Sequence, residues 1–280
     1  MMFAIALGLK LEHFRFLARE RVLYAGGLFA QFVALPLVSL ILVVILSPPP
    51  SVALGMIVVA ACPGGNVSNF MSWAARGDVA YSVSLTAGAS VIAALWTPAA
   101  ILLWSDLYPP TAALLDTIDF SRASFLAQTT LMLAAPLGAG MIAAHFAPKA
   151  AEKVRQPLAM FGAGVLAWVV ITGVIEFMPV LLPAWALILI PVILHNAVAF
   201  ACGAGAGRLL GAGAARRRSL TFEVGIQNAG LAVVLLLAQM QGVGGAAAIA
   251  ALWGVWHFIS GAAMILFFRQ IDKAGKTNGL

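Results

Sequence analysis

Long apolar runs restrict what this sequence can fold into more than any other feature. A helix needs about 20 apolar residues to cross a bilayer core. Eight segments meet that requirement: residues 22–46, 52–75, 79–105, 124–147, 157–179, 183–206, 218–241 and 244–268. These runs are too long and too uniformly apolar for barrel strands, and in lipid only helices or closed barrels satisfy the backbone polar groups. The sequence therefore predicts an all-α polytopic membrane protein with eight full spans.

Charged residues are scarce, and the basic ones alternate between the gaps that separate the apolar runs. Only 9% of the 280 residues are charged, whereas a soluble domain carries about a quarter. All but Arg122 of the 16 Lys and Arg residues precede residue 22, follow residue 268, or lie at 76, 149–155 and 208–218. By the positive-inside rule those gaps, and the C-terminus, are cytoplasmic. We interpret the basic excess as a topology signal and not as a nucleic-acid surface.

The N-terminal segment does not fit this pattern. Only nine apolar residues, Met1 to Leu9, precede Lys10. At about 1.5 Å per residue they reach roughly 14 Å, which would leave the Met1 ammonium group near the bilayer midplane. We expect this partial span to be the end of one whose start is missing. Mass spectrometry of the native N-terminus tests this, and a mature protein that begins at Met1 would refute it.

The run 52–75 is interrupted in its middle. Pro63 cannot donate a backbone hydrogen bond, and Gly64 and Gly65 disfavour helix. Polar residues follow directly: Asn66, Ser68 and Asn69. Broken backbone at membrane depth persists only where it lines a cavity or packs on protein. A kink that only shapes the bundle is the alternative, and the polar residues after the break favour a functional one.

A second interrupted run, 218–241, contains an acidic residue. Glu223 and Gln227 lie four residues apart and share a helix face, and Asn228 follows. Gly225 and Gly230 flank this group and indicate a locally unwound helix. Intramembrane carboxylates are costly and mark functional sites by default. The alternative is that Glu223 lies close enough to the cytoplasmic end to reach water or to pair with a cation.

One broken span in each half of a chain is the pattern of a secondary transporter with inverted repeats and a midplane site. We divide a single transmembrane domain, 1–280, into a first, incomplete half at 1–105 and a second half at 106–280. Helix N-termini at the breaks offer positive dipole ends to an anion. Side-chain and freed backbone oxygens are the ligands that a hard cation such as sodium prefers.

The other polar residues receive structural interpretations. Asp78 is predicted to cap the N-terminus of the following span. His195 and Asn196 are expected to form helix–helix hydrogen bonds, with a proton relay as the alternative. Cys62 and Cys202 lack the spacing of a metal site and are interpreted as small apolar residues.

Several motifs resemble those of the bile acid:sodium symporter family, and the chain looks like a bacterial member. The matching stretches are AQFVALP (30–36), CPGGNVSN (62–69), ARGDVAYSVSLTA (75–87), TP (97–98), FEVGIQNAGLA (222–232) and VWHFISG (255–261). The resemblance implies ten spans in two inverted halves, with two discontinuous helices that cross near the midplane and a panel of four helices that rocks against a core of six. Against that pattern the chain lacks the first span and most of the second.

The resemblance also implies two sodium ions as cofactors. The first would be bound by Ser68, Asn69, Ser82, Thr86 and Glu223. The second would be bound by Glu223, Gln227, Gln31 and the backbone oxygens of Val224 and Ile226. The anion would lie between the crossing helices and the panel, where we place Asn66, Asn228 and His257 as substrate-binding residues. Asn66 and Phe258 replace the Thr and Asn that members often carry, and we expect pantoate, pyruvate or another keto acid in place of a bile acid.

The predicted function is sodium-coupled import of a small organic anion across the bacterial inner membrane by alternating access. A proton-coupled or exporting carrier of the same fold is the nearest alternative. A membrane enzyme would need an oriented nucleophile–base pair, and nothing orients Cys62 towards His257. A sensor or structural protein would not need two broken spans. The lipid bilayer and the anion are the expected partners, nucleic acid is not, and a monomer is compatible with the sequence.

Overall fold

The computed structural model describes residues 2–9, 19–118, 121–181, 183, 185–240 and 243–277. Met1, Lys10 and Arg15, on which the predicted half-span and its basic flank depend, lie outside those residues. Helices dominate the described part. In chain order they are α1 (Met2–Ala6), α2 (Arg21–Leu46), α3 (Pro50–Ala61), α4 (Asn66–Ala74), α5 (Val79–Asp106), α6 (Pro109–Thr117), α7 (Arg122–Phe146), α8 (Pro148–Leu181), α9 (Trp185–Leu209), α10 (Ala214–Gly225), α11 (Ala229–Gln239) and α12 (Gly244–Thr277).

The long helices have the length and surface of membrane segments. In the part of the chain that the structure describes, five are long and apolar enough to cross a bilayer: α2, α5, α7, α9 and α12. Large apolar side chains cover their outer surfaces, and Ile45 of α2 and Leu95 of α5, for example, are 71% and 69% exposed. Extended apolar surface of this kind is suited to lipid and not to water. The predicted all-α polytopic membrane protein is confirmed, while eight crossings and inverted halves stay predictions.

Both predicted interruptions are present. α3 ends at Ala61, and Cys62 then adopts an extended backbone (φ −76°, ψ 153°) ahead of Pro63. α10 ends at Gly225, and Ile226 leaves the helix with φ −119° and ψ 92°. Each break is followed within four residues by a new helix, α4 or α11. The short-range Pro and Gly signals therefore place both breaks correctly.

The two breaks meet. Gly64 and Gln227 form an isolated antiparallel β-bridge, and the Asn228 N–H donates to the Pro63 carbonyl at 2.8 Å. A side chain at Gly64 would place its Cβ 3.0 Å from the Glu223 carbonyl oxygen and 2.8 Å from the Gln31 amide nitrogen. A larger residue would require the Gln31 amide and the α10 backbone to move, because the two interrupted helices approach each other backbone to backbone. The resulting crossing carries polar groups into the middle of the bundle.

Two helices hold the crossing from either side. α3 lies deepest, since every residue from Val52 to Ala61 is buried, and a Cβ at its Gly55 would lie 2.7 Å from the Ala246 carbonyl of α12. On the other side α9 packs closely on α10, where Gly203 faces the backbone of Leu220 and Thr221. Small residues at such contacts let helix backbones approach in lipid. The breaks are therefore held between close-packed helices.

Charged residues gather at one end of the bundle. Arg216 pairs with Asp78 at 3.2 Å and with Glu20 at 3.1 Å. Asp272, near the end of α12, pairs with Arg218 and Arg76. This network places the described end of the last helix on the same side as the basic gaps around residues 76 and 216–218, as the charge alternation predicts. The Asp78 side chain also accepts from the Tyr81 N–H at 3.0 Å, which confirms the predicted N-cap of α5.

Candidate functional site

A buried carboxylate lies at the centre of the crossing. Glu223, in the last turn of α10, is 1% exposed. Its Oε1 accepts from the hydroxyls of Ser68 at 2.6 Å and Ser82 at 2.5 Å, and its Oε2 accepts from Thr86 at 2.9 Å. Ser68 comes from the first turn of α4, and Ser82 and Thr86 lie one turn apart on α5. Three helices therefore supply oxygen atoms to one point.

Asn69 completes this oxygen cluster, which we define as Ser68, Asn69, Ser82, Thr86 and Glu223. The Asn69 Oδ1 atom accepts from the hydroxyls of Ser82 at 2.8 Å and Thr86 at 3.2 Å. All five residues predicted for the first sodium site are thus brought together. Ser72 was missed by the sequence analysis: its hydroxyl lies 3.1 Å from that of Ser82. Its position one turn after Ser68 was the signal that could have revealed it.

The oxygen cluster has more oxygen pairs at hydrogen-bond distance than it has hydroxyl hydrogens to form the bonds. The hydroxyl oxygens of Ser68, Ser82 and Thr86 lie within hydrogen-bond distance of an acceptor oxygen in seven pairs. The acceptors belong to Glu223, to Asn69, and to the backbone carbonyls of Gly65 and Ser82. Each hydroxyl carries a single hydrogen, so four contacts lack one. Among the described residues no Lys, Arg or His pairs with Glu223. An unpaired buried carboxylate is costly, so the cluster is suited to a bound cation.

The residues predicted for the second sodium site lie beside the break. The Gln31 side-chain nitrogen is 3.4 Å from the Glu223 carbonyl oxygen, and that of Gln227 donates to the Val224 carbonyl at 2.8 Å. The Gln227 Oε1 atom is buried with no partner among the described residues, which fits a cation ligand. The Val224 oxygen, in contrast, is already used by the Gln227 amide. Ile226 is fully buried next to them.

The three residues predicted to bind substrate line one cavity. This cavity measures 610 Å³ and contains Asn66, Asn228 and His257 in otherwise mostly apolar walls. His257 is 5% exposed, and neither ring nitrogen has a partner in the described part of the chain. A few convergent polar groups in an apolar cavity are typical of a small-molecule site. The cavity therefore has the character expected for a small amphipathic ligand.

Two helix N-termini open onto the same cavity. The wall includes Gly65 to Val67 at the start of α4 and Asn228 to Gly230 at the start of α11. The Asn228 side-chain oxygen accepts from the Leu231 N–H at 3.0 Å and caps α11. Each N-terminus carries about half a positive charge from the helix dipole. Together they make the cavity favourable for an anion.

Arg155 is a second residue that the sequence analysis did not identify as part of the site. It lines a 220 Å³ cavity with Asn66, Asn69 and Thr86. This smaller cavity shares Asn66 and Ile5 with the larger one. The sequence gives no reason to distinguish Arg155 from the neighbouring basic residues, because its position beside Asn66 depends on how α8 packs against the bundle. It adds a cationic side chain near the N-terminus of α4.

The neighbouring polar pair on α9 supports the crossing. The Asn196 side chain donates to the Gly225 carbonyl at 2.8 Å, and the Ser260 hydroxyl donates to the Asn196 oxygen at 2.5 Å. His195 lies 2.7 Å from the Ser39 hydroxyl. The predicted helix–helix hydrogen bonds are confirmed for both residues. Asn196 thereby satisfies a carbonyl that the break in α10 leaves without a helical partner.

Comparisons with known proteins agree with this geometry. The sequence model of the family described as "Sodium Bile acid symporter family" matches residues 1–180. The uncharacterized sodium-dependent transporter YocS of Bacillus subtilis is 31% identical over 275 residues, which cover 97% of this chain and 81% of YocS. The probable chloroplastic sodium/metabolite cotransporter BASS2 of Oryza sativa subsp. japonica is 28% identical over 272 residues, which cover 96% of this chain and 62% of BASS2. The human ileal sodium/bile acid cotransporter is 26% identical over 202 residues, which cover 72% of this chain and 56% of that protein.

Proposed function

The chain belongs to the sodium bile acid symporter family, and from this premise we propose that it imports a small organic anion together with sodium across the bacterial inner membrane. The observation that carries the proposal is the oxygen cluster around Glu223, which lies directly behind the break that opens onto the anion-favouring cavity. Cation and anion sites on two sides of one crossing allow each ion to affect the binding of the other.

Sodium fits the oxygen cluster better than a proton does. A proton on Glu223 would supply one further hydrogen to the seven short contacts and leave three without one. A sodium ion binds several oxygens at once and neutralises the carboxylate. We assign the first ion to the oxygen cluster. A second ion is assigned to Glu223, Gln227, Gln31 and the backbone oxygens of Val224 and Ile226, which requires the Gln227 amide to turn away from Val224.

The anion is assigned to the 610 Å³ cavity, with its carboxylate towards the N-termini of α4 and α11. Asn66, Asn228 and His257 offer the hydrogen bonds, and the apolar walls receive the body of the substrate. The cavity volume lies within the range of small-molecule sites and leaves ample room for pantoate or a keto acid. Arg155, which lines the neighbouring cavity on the Asn66 side, contributes positive charge from α8. These features favour a monocarboxylate with a short apolar body.

In the arrangement that the family resemblance implies, alternating access results when a panel of helices rocks against the core that holds the crossing. Two sodium ions with one monoanion move one net positive charge. A charge that crosses 100 mV is worth about 2.3 kcal/mol, so the membrane potential and the sodium gradient both favour import. In this orientation the C-terminus and the charged end of the bundle face the cytoplasm.

Sodium replacement tests the proposal in membrane vesicles that contain the overproduced protein. Uptake of a labelled anion, chosen from pantoate, pyruvate and related keto acids, is measured with an inward sodium gradient and with choline in its place. We expect uptake only with sodium, and no loss when a protonophore removes the proton gradient under a clamped potential. Uptake that continues in choline and stops with the protonophore would favour a proton-coupled carrier.

Replacement of Arg155 by glutamine is predicted to weaken anion binding selectively. Hydrogen bonds to charged groups contribute about 1.5–3 kcal/mol, so the KM of the transported anion should rise about 10- to 100-fold. Lys153→Gln is the matched control, because it removes the same charge from the same helix at a position that does not line this cavity. An unchanged KM in Arg155→Gln would remove this residue from the site.

A further inference from the structure

A groove on the outer surface of the bundle contains none of the residues of the oxygen cluster. It measures 780 Å³ and runs between α9, α10 and α12, which alone line it among the described residues. Its walls are predominantly apolar, and the largest side chains are Phe200, Trp256, Met264, Phe267, Phe268 and Ile271. Phe267 and Ile271 are 53% and 48% exposed, so the groove opens outwards. Its natural surroundings are lipid chains.

Basic side chains line one end of this groove. Arg208, Arg217 and Arg218 all contribute to its surface. Arg218 is paired with Asp272, whereas Arg208 and Arg217 form no ion pair with any described residue. Two cations without carboxylate partners therefore border an apolar channel. Such an arrangement is complementary to a negatively charged head group joined to an apolar chain.

The length of the groove corresponds to one leaflet. Its wall on α12 extends from Trp256 to Ile271, about 22 Å at 1.5 Å per residue. Its wall on α9 extends from Ile193 to Arg208, about 22 Å on the same basis. Half of a bilayer core is about 15 Å, to which the head-group region adds several ångströms. An acyl chain that lies along the groove would thus place its phosphate at the arginines.

We propose that this groove is a binding site for an anionic phospholipid of the leaflet on the charged side of the bundle. The phosphate lies between Arg208 and Arg217, and one acyl chain packs along Trp256 and Phe267. Zwitterionic lipids are less favourable, because their own cation opposes the two arginines. A small soluble anion would leave the apolar walls uncovered. The site is independent of the sodium cluster and of the transported substrate.

A lipid in this groove would also cover two side chains that support the crossing. Asn196 and Ser260 both line it, and Asn196 donates to the Gly225 carbonyl at the break in α10. An acyl chain packed along this wall adds apolar contacts beside the buried hydrogen bond that anchors the break. Bound lipid is therefore expected to stabilise the crossing against thermal unfolding.

Thermal unfolding of the purified protein in detergent tests the site. Phosphatidylglycerol is expected to raise Tm by about 5 °C when it is near 100 times its dissociation constant, with a smaller shift at high salt. Phosphatidylcholine and inorganic phosphate should each give little shift. Arg208→Gln combined with Arg217→Gln should lose the phosphatidylglycerol shift, whereas the control Lys149→Gln with Lys153→Gln should keep it. Equal shifts with the two lipids, or an undiminished shift in the arginine variant, would overturn the proposal.

Fluorescence quenching locates the acyl chain independently of stability. Brominated phosphatidylglycerol should quench part of the tryptophan emission of the otherwise unaltered protein. Trp256→Phe should lose that part selectively, because Trp256 lines the groove. Identical fractional quenching with and without Trp256 would contradict the placement of the chain in this groove.

Discussion

Sodium-dependent uptake is expected to fall at least ~100-fold when Glu223 is replaced by glutamine. Each hydrogen bond or ion contact to a charged group contributes about 1.5–3 kcal/mol, and a loss of about 1.4 kcal/mol corresponds to a factor of ten. Glutamine keeps the shape of the side chain, but it removes the only negative charge in the oxygen cluster. Its NH₂ group would also face hydroxyls that now donate to the carboxylate. Initial uptake rates with and without a sodium gradient measure the effect.

Glu152→Gln is the control for this experiment. Glu152 is an exposed carboxylate on α8, so its replacement removes one negative charge without touching the cluster. Ser82→Ala should give an intermediate loss, since it removes one hydroxyl that contacts both Glu223 and Asn69. Full sodium-dependent uptake by a normally produced Glu223→Gln protein would remove Glu223 from the cation site.

Replacement of Gly64 by alanine is expected to separate the two interrupted helices. The added Cβ would lie 3.0 Å from the Glu223 carbonyl oxygen, a backbone atom that cannot move without shifting α10. Overpacking of this kind costs about 1–3 kcal/mol, which corresponds to a decrease in Tm of about 2–5 °C for a chain of this size. Sodium affinity should also fall at least ~10-fold, because the shift moves Glu223 away from Ser68.

The adjacent glycine provides a matched control. A Cβ at Gly65 meets no atom within 4 Å, and its backbone φ of −117° suits any residue. Gly65→Ala should therefore change stability by less than about 0.5 kcal/mol. Equal effects of the two substitutions on Tm and on sodium affinity would show that the backbone-to-backbone approach at Gly64 is not required.

Local signals were sufficient to predict the interruptions. Pro63 removes a backbone donor and two glycines follow it, so the break in the run 52–75 depends on neighbouring residues alone. Glu223 and Gln227 were identified because a carboxylate and an amide one turn apart are costly inside lipid. The membrane class followed from the length of the apolar runs. These features need no knowledge of the tertiary structure.

Contacts between distant parts of the chain could not be read from the sequence. The bridge between Gly64 and Gln227, and the hydrogen bond from Asn196 to Gly225, join residues whose pairing depends on helix packing. Arg155 was interpreted only as a topology charge, because nothing local shows that α8 places it beside Asn66. The hydrogen bond from the Gln227 side chain to the Val224 carbonyl could not be predicted either, because the sequence does not show whether a backbone carbonyl is already hydrogen-bonded.

Equilibrium binding of radioactive sodium to the purified protein measures whether the Glu223 cluster holds sodium. The oxygen cluster predicts saturable binding that approaches two ions per chain, that is kept in Glu152→Gln, and that is lost from Glu223→Gln even when the variant remains folded. Binding of the same extent and affinity in Glu223→Gln, or no saturable binding to the unaltered protein, would contradict the assignment of the Glu223 cluster as a sodium site.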